Sequence, residues 1–182
     1  MVHGHQGEGI FAINTRDGIK HLRVPAEGDI SVNMGKVQDE SEEITASQNG
    51  HIWNGFNISI GNPHAVVFVE DLNLVGELTD APIVRPKESY PEGVNVEFVE
   101  FISDSELKMR VFERGSGETQ SCGTGTCAVA LAATLKKNKN LPAKWVIYPP
   151  GGRLEVDIDG HSNATLIGPA ELVRDVDLAK FL

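Results

Sequence analysis

Over most of the chain the hydrophobic positions fall into short runs separated by turn residues. Residues 10–13 and 19–24 are two such runs, and Arg16-Asp17-Gly18 between them is a hairpin signal. Residues 30–34 alternate apolar and polar, the period of a strand with one buried face. Runs at 52–60 and 65–69 flank a Gly-Asn-Pro turn, and runs at 94–102 and 107–112 flank Ser103-Asp104-Ser105. Residues 145–148, 153–158 and 164–167 complete the series, with turns at Pro149-Pro150-Gly151-Gly152 and Asp159-Gly160. The pattern predicts strands at all of these positions and a short helix over 72–78. Residues 82–91 and the acidic run 39–43 read as loops.

Residues 126–135 break the pattern. They consist of Ala, Val, Leu, Thr and Cys without a charge, and Lys136, Lys137 and Lys139 follow. The spacing predicts a helix whose basic end complements its dipole. A helix that is apolar all round must be buried all round. With strands forming most of the rest, the expected fold is α+β: a curled, mainly antiparallel sheet wrapped around one central apolar helix.

Composition narrows the function classes. The chain has 182 residues, enough for one good-sized core, with 16 basic and 26 acidic residues and a net charge of −10. That balance argues against nucleic acid, whose binding needs a basic face. No apolar run is long enough to span a membrane, and no signal-peptide pattern opens the chain. The two cysteines, Cys122 and Cys127, are poorly spaced for a disulfide, which points to a reducing cytoplasm. No His/Cys spacing matches a zinc site.

The candidate chemistry lies just before the helix. Ser121-Cys122-Gly123-Thr124-Gly125 places a thiol at the positive end of the helix, where backbone N–H groups bind anions and a thiol loses its proton more readily. Cys122 is therefore expected to titrate below the ~8.5 of a free thiol. The plainer reading is a glycine turn with Cys122 as a small buried hydrophobe. Against it stands the preceding segment, where Glu113, Arg114 and the Gly-rich loop 115–119 bring an acid and a base to the same corner. Cys127 lies on the helix itself, ~140° around the axis from Cys122, and reads as core.

These residues resemble the diaminopimelate epimerase family. The run Arg110-Val111-Phe112-Glu113-Arg114-Gly115-Ser116-Gly117-Glu118-Thr119-Gln120-Ser121-Cys122-Gly123-Thr124-Gly125 is similar to the signature around its second catalytic cysteine. Gly61-Asn62-Pro63-His64, Gly93-Val94-Asn95-Val96-Glu97, Pro149-Pro150-Gly151-Gly152 and Leu166-Ile167-Gly168-Pro169-Ala170 resemble further family segments and occur in family order. The resemblance implies inversion of an amino-acid stereocentre without pyridoxal phosphate, metal or any other cofactor. One thiolate removes the α-proton and a second thiol returns a proton to the opposite face. The reaction would interconvert LL- and meso-diaminopimelate, for lysine and peptidoglycan synthesis. Cys122 would be one of the two thiols, with His64 tuning it and Glu113 beside it. Asn62, Asn95, Glu113, Arg114, Gly123 and Thr124 would hold the substrate.

Read from the residues alone, the same positions have ordinary explanations. Asn62 suits a turn, His64 a strand edge, and Glu113 and Arg114 a solvated pair at a strand end. Asn95 interrupts an apolar strand and so suggests a buried polar role. Glu118 receives no role.

Family members are built from two similar domains with one catalytic cysteine in each, and no cysteine precedes Cys122 here. Residues 1–23 are therefore expected to be a remnant of the N-terminal domain and 24–170 the C-terminal epimerase domain. A tail over 171–182 is expected to pack on the first domain. The expected partners are a diaminopimelate-like small molecule, a second copy in a homodimer, and a separately encoded N-terminal domain. The alternatives are a related proline racemase-like or phenazine-biosynthesis-like isomerase, or a truncated, non-catalytic binding module.

Overall fold

The computed structural model of the chain describes residues 8–15 and 18–171. Among these residues thirteen strands form one sheet. In chain order they are β1 (Gly9–Thr15), β2 (Gly18–Val24), β3 (Ile30–Lys36), β4 (Gln38–Gln48), β5 (His51–Ser59), β6 (Pro63–Phe68), β7 (Ile83–Arg85), β8 (Asn95–Phe101), β9 (Glu106–Glu113), β10 (Gly117–Thr119), β11 (Ala143–Tyr148), β12 (Leu154–Ile158) and β13 (Asn163–Gly168). The single α-helix among the described residues, α1, spans Gly123–Lys136. The sheet runs β1-β2-β3-β13-β12-β11-β9-β8-β6-β5-β4-β7, with β10 paired to β9. It is not closed: β1 and β7 are its edges.

Most neighbours are antiparallel, but β6–β8 and β9–β11 are parallel. Each parallel pair needs a crossover, and α1 is the crossover between β9 and β11. The helix touches β4, β5, β6 and β8 on one side and β11, β12 and β13 on the other, so the sheet curls around it as expected. Every residue of α1 from Gly125 to Thr134 is buried. Its two buried hydroxyls are satisfied: Thr126 donates to the Cys122 carbonyl, and Thr134 donates to the Ala130 carbonyl while accepting from the Trp145 indole.

Strand parity fixes what faces the helix. Val66 and Phe68 of β6, Val99 of β8, and Leu107, Met109 and Val111 of β9 pack in the core around α1. Ala65, Val67, Val96, Phe98 and Phe112 point to the other face, into a second core under residues 72–94. His64, Asn95, Glu97 and Glu113 share the parity of the helix-facing set.

Four expectations for secondary structure need correction. The Gly-rich loop 115–119 contains the three-residue strand β10, which folds back antiparallel on the end of β9. The acidic run 39–43 is part of β4, with a bulge between Asp39 and Glu43. It reads as a loop because its side chains are exposed and alternation begins only at Ile44. The 82–91 loop contains β7, where Val84 alone is buried. The helix expected over 72–78 is a 3₁₀ turn, Leu72–Val75, whose N-cap Asp71 accepts from the Asn73 N–H at 2.8 Å. The hairpin residues Arg16 and Asp17, and the expected tail from 172 on, lie outside the described residues. Among the described residues no helix is long and apolar enough to cross a membrane.

Candidate active site

Cys122 is the N-cap of α1, with extended backbone (φ −128°, ψ 111°), and its Sγ accepts from the Gly125 N–H at 3.4 Å. The next two N–H groups, of Gly123 and Thr124, open the helix and have no acceptor within it. From the thiol a line of polar contacts crosses to β6 and β8. Cys122 Sγ lies 3.5 Å from Thr124 Oγ1, and Asn62 Nδ2 lies 3.4 Å from the same hydroxyl. Asn62 Oδ1 lies 3.1 Å from His64 Nε2, and His64 Nδ1 lies 2.7 Å from Glu97 Oε1. Five residues from the turn before β6, β6 itself, β8 and the start of α1 thus form one connected set.

Gly125 is required where this set closes. A Cβ there would stand 2.6 Å from Glu97 Oε1 and 3.3 Å from Cys122 Sγ, so the carboxylate and the thiol flank the same bare backbone.

The remaining site residues surround this core. Thr119 donates to Glu113 Oε1, and Asn95 Oδ1 accepts from the Arg114 backbone N–H at 2.9 Å. The Arg114 guanidinium lies on the 92–93 loop, 3.4 Å from the Glu92 carbonyl and 3.7 Å from its carboxylate. The structure therefore joins Cys122, Thr124, Asn62 and His64, places Asn95 and Glu113 on the same sheet face, and leaves the Arg114 side chain at the rim. Gly123 packs against Leu166, which a Cβ would approach to 3.2 Å. Glu118 is engaged elsewhere, in a two-pronged pair with Arg110 at 2.7 and 3.0 Å.

The thiol itself departs from expectation. Burial pushes Cys122 up to about 11, and Glu97 and Glu113 push the same way; the hydrogen bonds from Thr124 and Gly125 oppose them without prevailing. At 7% exposure the desolvation of a thiolate outweighs the helix-terminal donors. Cys127, fully buried in the core around α1, is pushed higher, to about 12. Its placement in the core agrees with its reading as a packing residue.

Glu97 is the residue that sequence reasoning passed over. The signal was present: Asn95 stood out as polar in an apolar strand, and Glu97 lies two positions on, on the same face. A cavity of about 700 Å³, lined by Glu43, Arg85 and Lys136 among others, belongs to the other end of α1 and not to Cys122. Among the described residues no group of three or more His, Cys, Asp or Glu is placed to hold a metal ion.

The fold places the chain in a class of proteins built on the same curled sheet. The Bacillus anthracis phenazine biosynthesis protein of the PhzF family superposes with a TM-score of 0.67, over 90% of this chain and 66% of that one, at 14% identity. A hydroxyproline epimerase from Agrobacterium vitis superposes with a TM-score of 0.64, over 92% and 58%, at 15% identity. At such identities the likeness is one of fold. The sequence is more specific. Residues 56–173 match the diaminopimelate epimerase family. The diaminopimelate epimerase of Streptomyces coelicolor is 40% identical over 177 residues, which cover 94% of this chain and 61% of that protein. That of Geobacillus sp. strain WCH70 is 35% identical over 188 residues, covering 94% and 66%. The chain belongs to the diaminopimelate epimerase family, and it spans only part of the length of these relatives.

Proposed function

We propose that this chain supplies one half of a cofactor-independent epimerase that interconverts LL- and meso-diaminopimelate in the cytoplasm, in the synthesis of lysine and peptidoglycan. In this reading residues 24–170 form the C-terminal epimerase domain, residues 1–23 belong with an N-terminal companion domain, and Cys122 is one of two acid/base thiols. The second thiol comes from outside these 182 residues, since Cys127 is fully buried in the core.

The observation that carries the reading is the position of Cys122, at the N-cap of a buried helix and linked through Thr124 and Asn62 to His64. In the reaction the α-C–H bond breaks as its proton passes to a thiolate on one face. The carbanion then takes a proton from the thiol on the other face, and the two sulfurs exchange states. A Cys122 held protonated by burial is the proton donor of that pair at rest. The N–H groups of Gly123 and Thr124 would hold the substrate carboxylate at the helix terminus. Asn62, Asn95, Glu113 and Arg114 would hold the other polar groups, with His64 tuning the thiol.

The test is to mix the chain with a family N-terminal domain as a separate polypeptide and supply LL-diaminopimelate in D₂O. Meso product carrying α-deuterium, absent with Cys122→Ser, is the expected result. A Cys122→Ser mixture as active as the unsubstituted one would refute the assignment.

A further inference from the structure

Glu97 is fully buried, hydrogen-bonded to an equally buried histidine, and has no place in the reaction outlined above. Its Oε1 meets His64 Nδ1 at 2.7 Å, both side chains having no exposure, while Oε2 is buried without a hydrogen-bond partner among the described residues. A carboxylate in such a place is costly unless its charge has a task or a close partner. Two neighbours bear on the site. One is the His64 ring; the other is Gly125, whose missing side chain lets Oε1 press against the backbone that carries Cys122.

We propose that Glu97 is a positioning residue shared by His64 and Cys122: it fixes the His64 ring with its proton on Nδ1, and its charge, set against Gly125, adds to the burial that keeps Cys122 as a thiol at rest. An ionised carboxylate only accepts hydrogen bonds, so the short contact to Nδ1 requires the proton on that nitrogen. The other ring nitrogen then faces Asn62, whose amide presents either an acceptor or a donor after a half-turn. Glu97 therefore dictates the ring and Asn62 adapts, so that the contact passed on to Thr124 and Cys122 follows from the carboxylate. Among the described residues the charged and titratable groups around the thiol are Glu97 from β8 with His64 of β6 bound to it, Glu113 from β9 and Cys127 from α1, with Lys20 of β2 acting on Cys127. Of the two carboxylates, Glu113 is held by Thr119, whereas Glu97 is tied directly to His64. The proposal rests on Cys122 being an acid/base thiol, but its test reads the ring and the sulfur and needs no turnover.

The experiment has two parts. In the unsubstituted chain, ¹⁵N-histidine NMR should find His64, the one buried histidine among the described residues, with its proton on Nδ1 and slow to exchange. A ring carrying its proton on Nε2 alone would mean that Glu97 is the donor, and would overturn the proposal without any variant. In Glu97→Gln, which keeps the reach and removes the charge, alkylation of Cys122 by iodoacetamide at pH 8 should rise about tenfold, the effect of one pKa unit. Cys127 is the internal control and should stay unreactive, whereas general loosening would expose both. Glu97→Asp keeps the charge but shortens the reach; it should free the ring while leaving Cys122 slow. A folded Glu97→Gln chain with Cys122 no faster than before would overturn the proposal; if that variant does not fold, the NMR result decides. Absence of epimerisation in any mixture would bear on the proposed function and leave these two measurements intact.

Discussion

His64 and Glu97 lie 33 residues apart in sequence and meet at 2.7 Å with neither side chain exposed to solvent. The meeting is set by the parallel register of β6 and β8, which pairs His64 with Asn95 and Val66 with Glu97 and turns both polar side chains toward the helix start. Removing one partner strands the other in the core. His64→Ala is expected to destabilise the chain by about 1–3 kcal/mol, the cost of leaving a buried polar group without its hydrogen-bond partner. Replacing both residues, for example by Leu and Met, should cost less than that single change. Urea unfolding of the single and double variants checks the order, and a harmless His64→Ala would mean that the contact contributes little.

Gly125 is sensitive for a steric reason. Its φ is not in the left-handed region, so alanine suits the helix itself. The added methyl would nevertheless stand 2.6 Å from Glu97 Oε1. Gly125→Ala should therefore lose about 1–3 kcal/mol, as overpacked sites do. It should also disturb the His64 ring. Gly115 is the control: nothing lies within 4 Å of a Cβ there, although its φ of +81° adds a backbone penalty of its own. Equal His64 spectra in the native chain and Gly125→Ala would show that the glycine is not needed to seat the carboxylate.

Thiol chemistry gives a pH dependence of definite sign. Both cysteines are raised from the ordinary 9.0, Cys122 to about 11 and Cys127 to about 12, chiefly by burial. Alkylation requires the thiolate, so the Cys122 rate should climb about tenfold per pH unit through pH 9 instead of levelling near 8.5. Cys122, at 7% exposure, should still react ahead of Cys127 at 0%. Mass-spectrometric mapping of limited labelling from pH 7 to 10 measures both. A plateau below pH 9 would show that the helix terminus wins over burial.

Much of this was legible along the chain. The charge-free run 126–135 announced a buried helix, and the turn residues bracketed ten of the strands. Strands β4, β7 and β10 escaped because they lack the cue used to find strands: half of β4 is exposed, β7 has one buried residue, and the three-residue β10 has none. At the site, the Cys122 turn and the Asn62-Pro63-His64 turn could be read from local chemistry. The Thr124–Asn62 contact and the His64–Glu97 bond could not, because each joins elements brought together only by sheet order. The thiol's upward shift was missed for a related reason. Position at a helix start is visible in sequence, whereas burial and the approach of two carboxylates are properties of the fold.

The β1–β2 ribbon carries Ile10 at 77% exposure and Ile19 at 65%, with β1 as an open edge. Exposed apolar side chains along an edge ribbon favour association. The 182-residue chain on its own is expected to dimerise or aggregate at tens of micromolar, and Ile10→Lys with Ile19→Lys should reduce this. Sedimentation of both forms tests it. A clean monomer for the unsubstituted chain, with no binding of a hydrophobic dye, would count against the ribbon as a contact surface.

The last prediction separates proton exchange from inversion. Two-sided transfer needs a group on each face of the α-carbon, and within these 182 residues only Cys122 is offered near the helix start. The chain alone should therefore give no net conversion of LL- to meso-diaminopimelate. Washout of the α-proton through Cys122 alone returns deuterium to the face it left, so configuration would be retained. That exchange should be slow for two reasons. The thiol is held protonated by its surroundings, and one placed acid or base contributes ~10²–10⁴-fold at most. Incubation in D₂O with chiral analysis reads label and configuration together. Cys122→Ala should abolish any labelling, while Cys127→Ala, a conservative change in the core, should leave it. Rapid inversion by the isolated chain would mean that another of its residues supplies the opposite face.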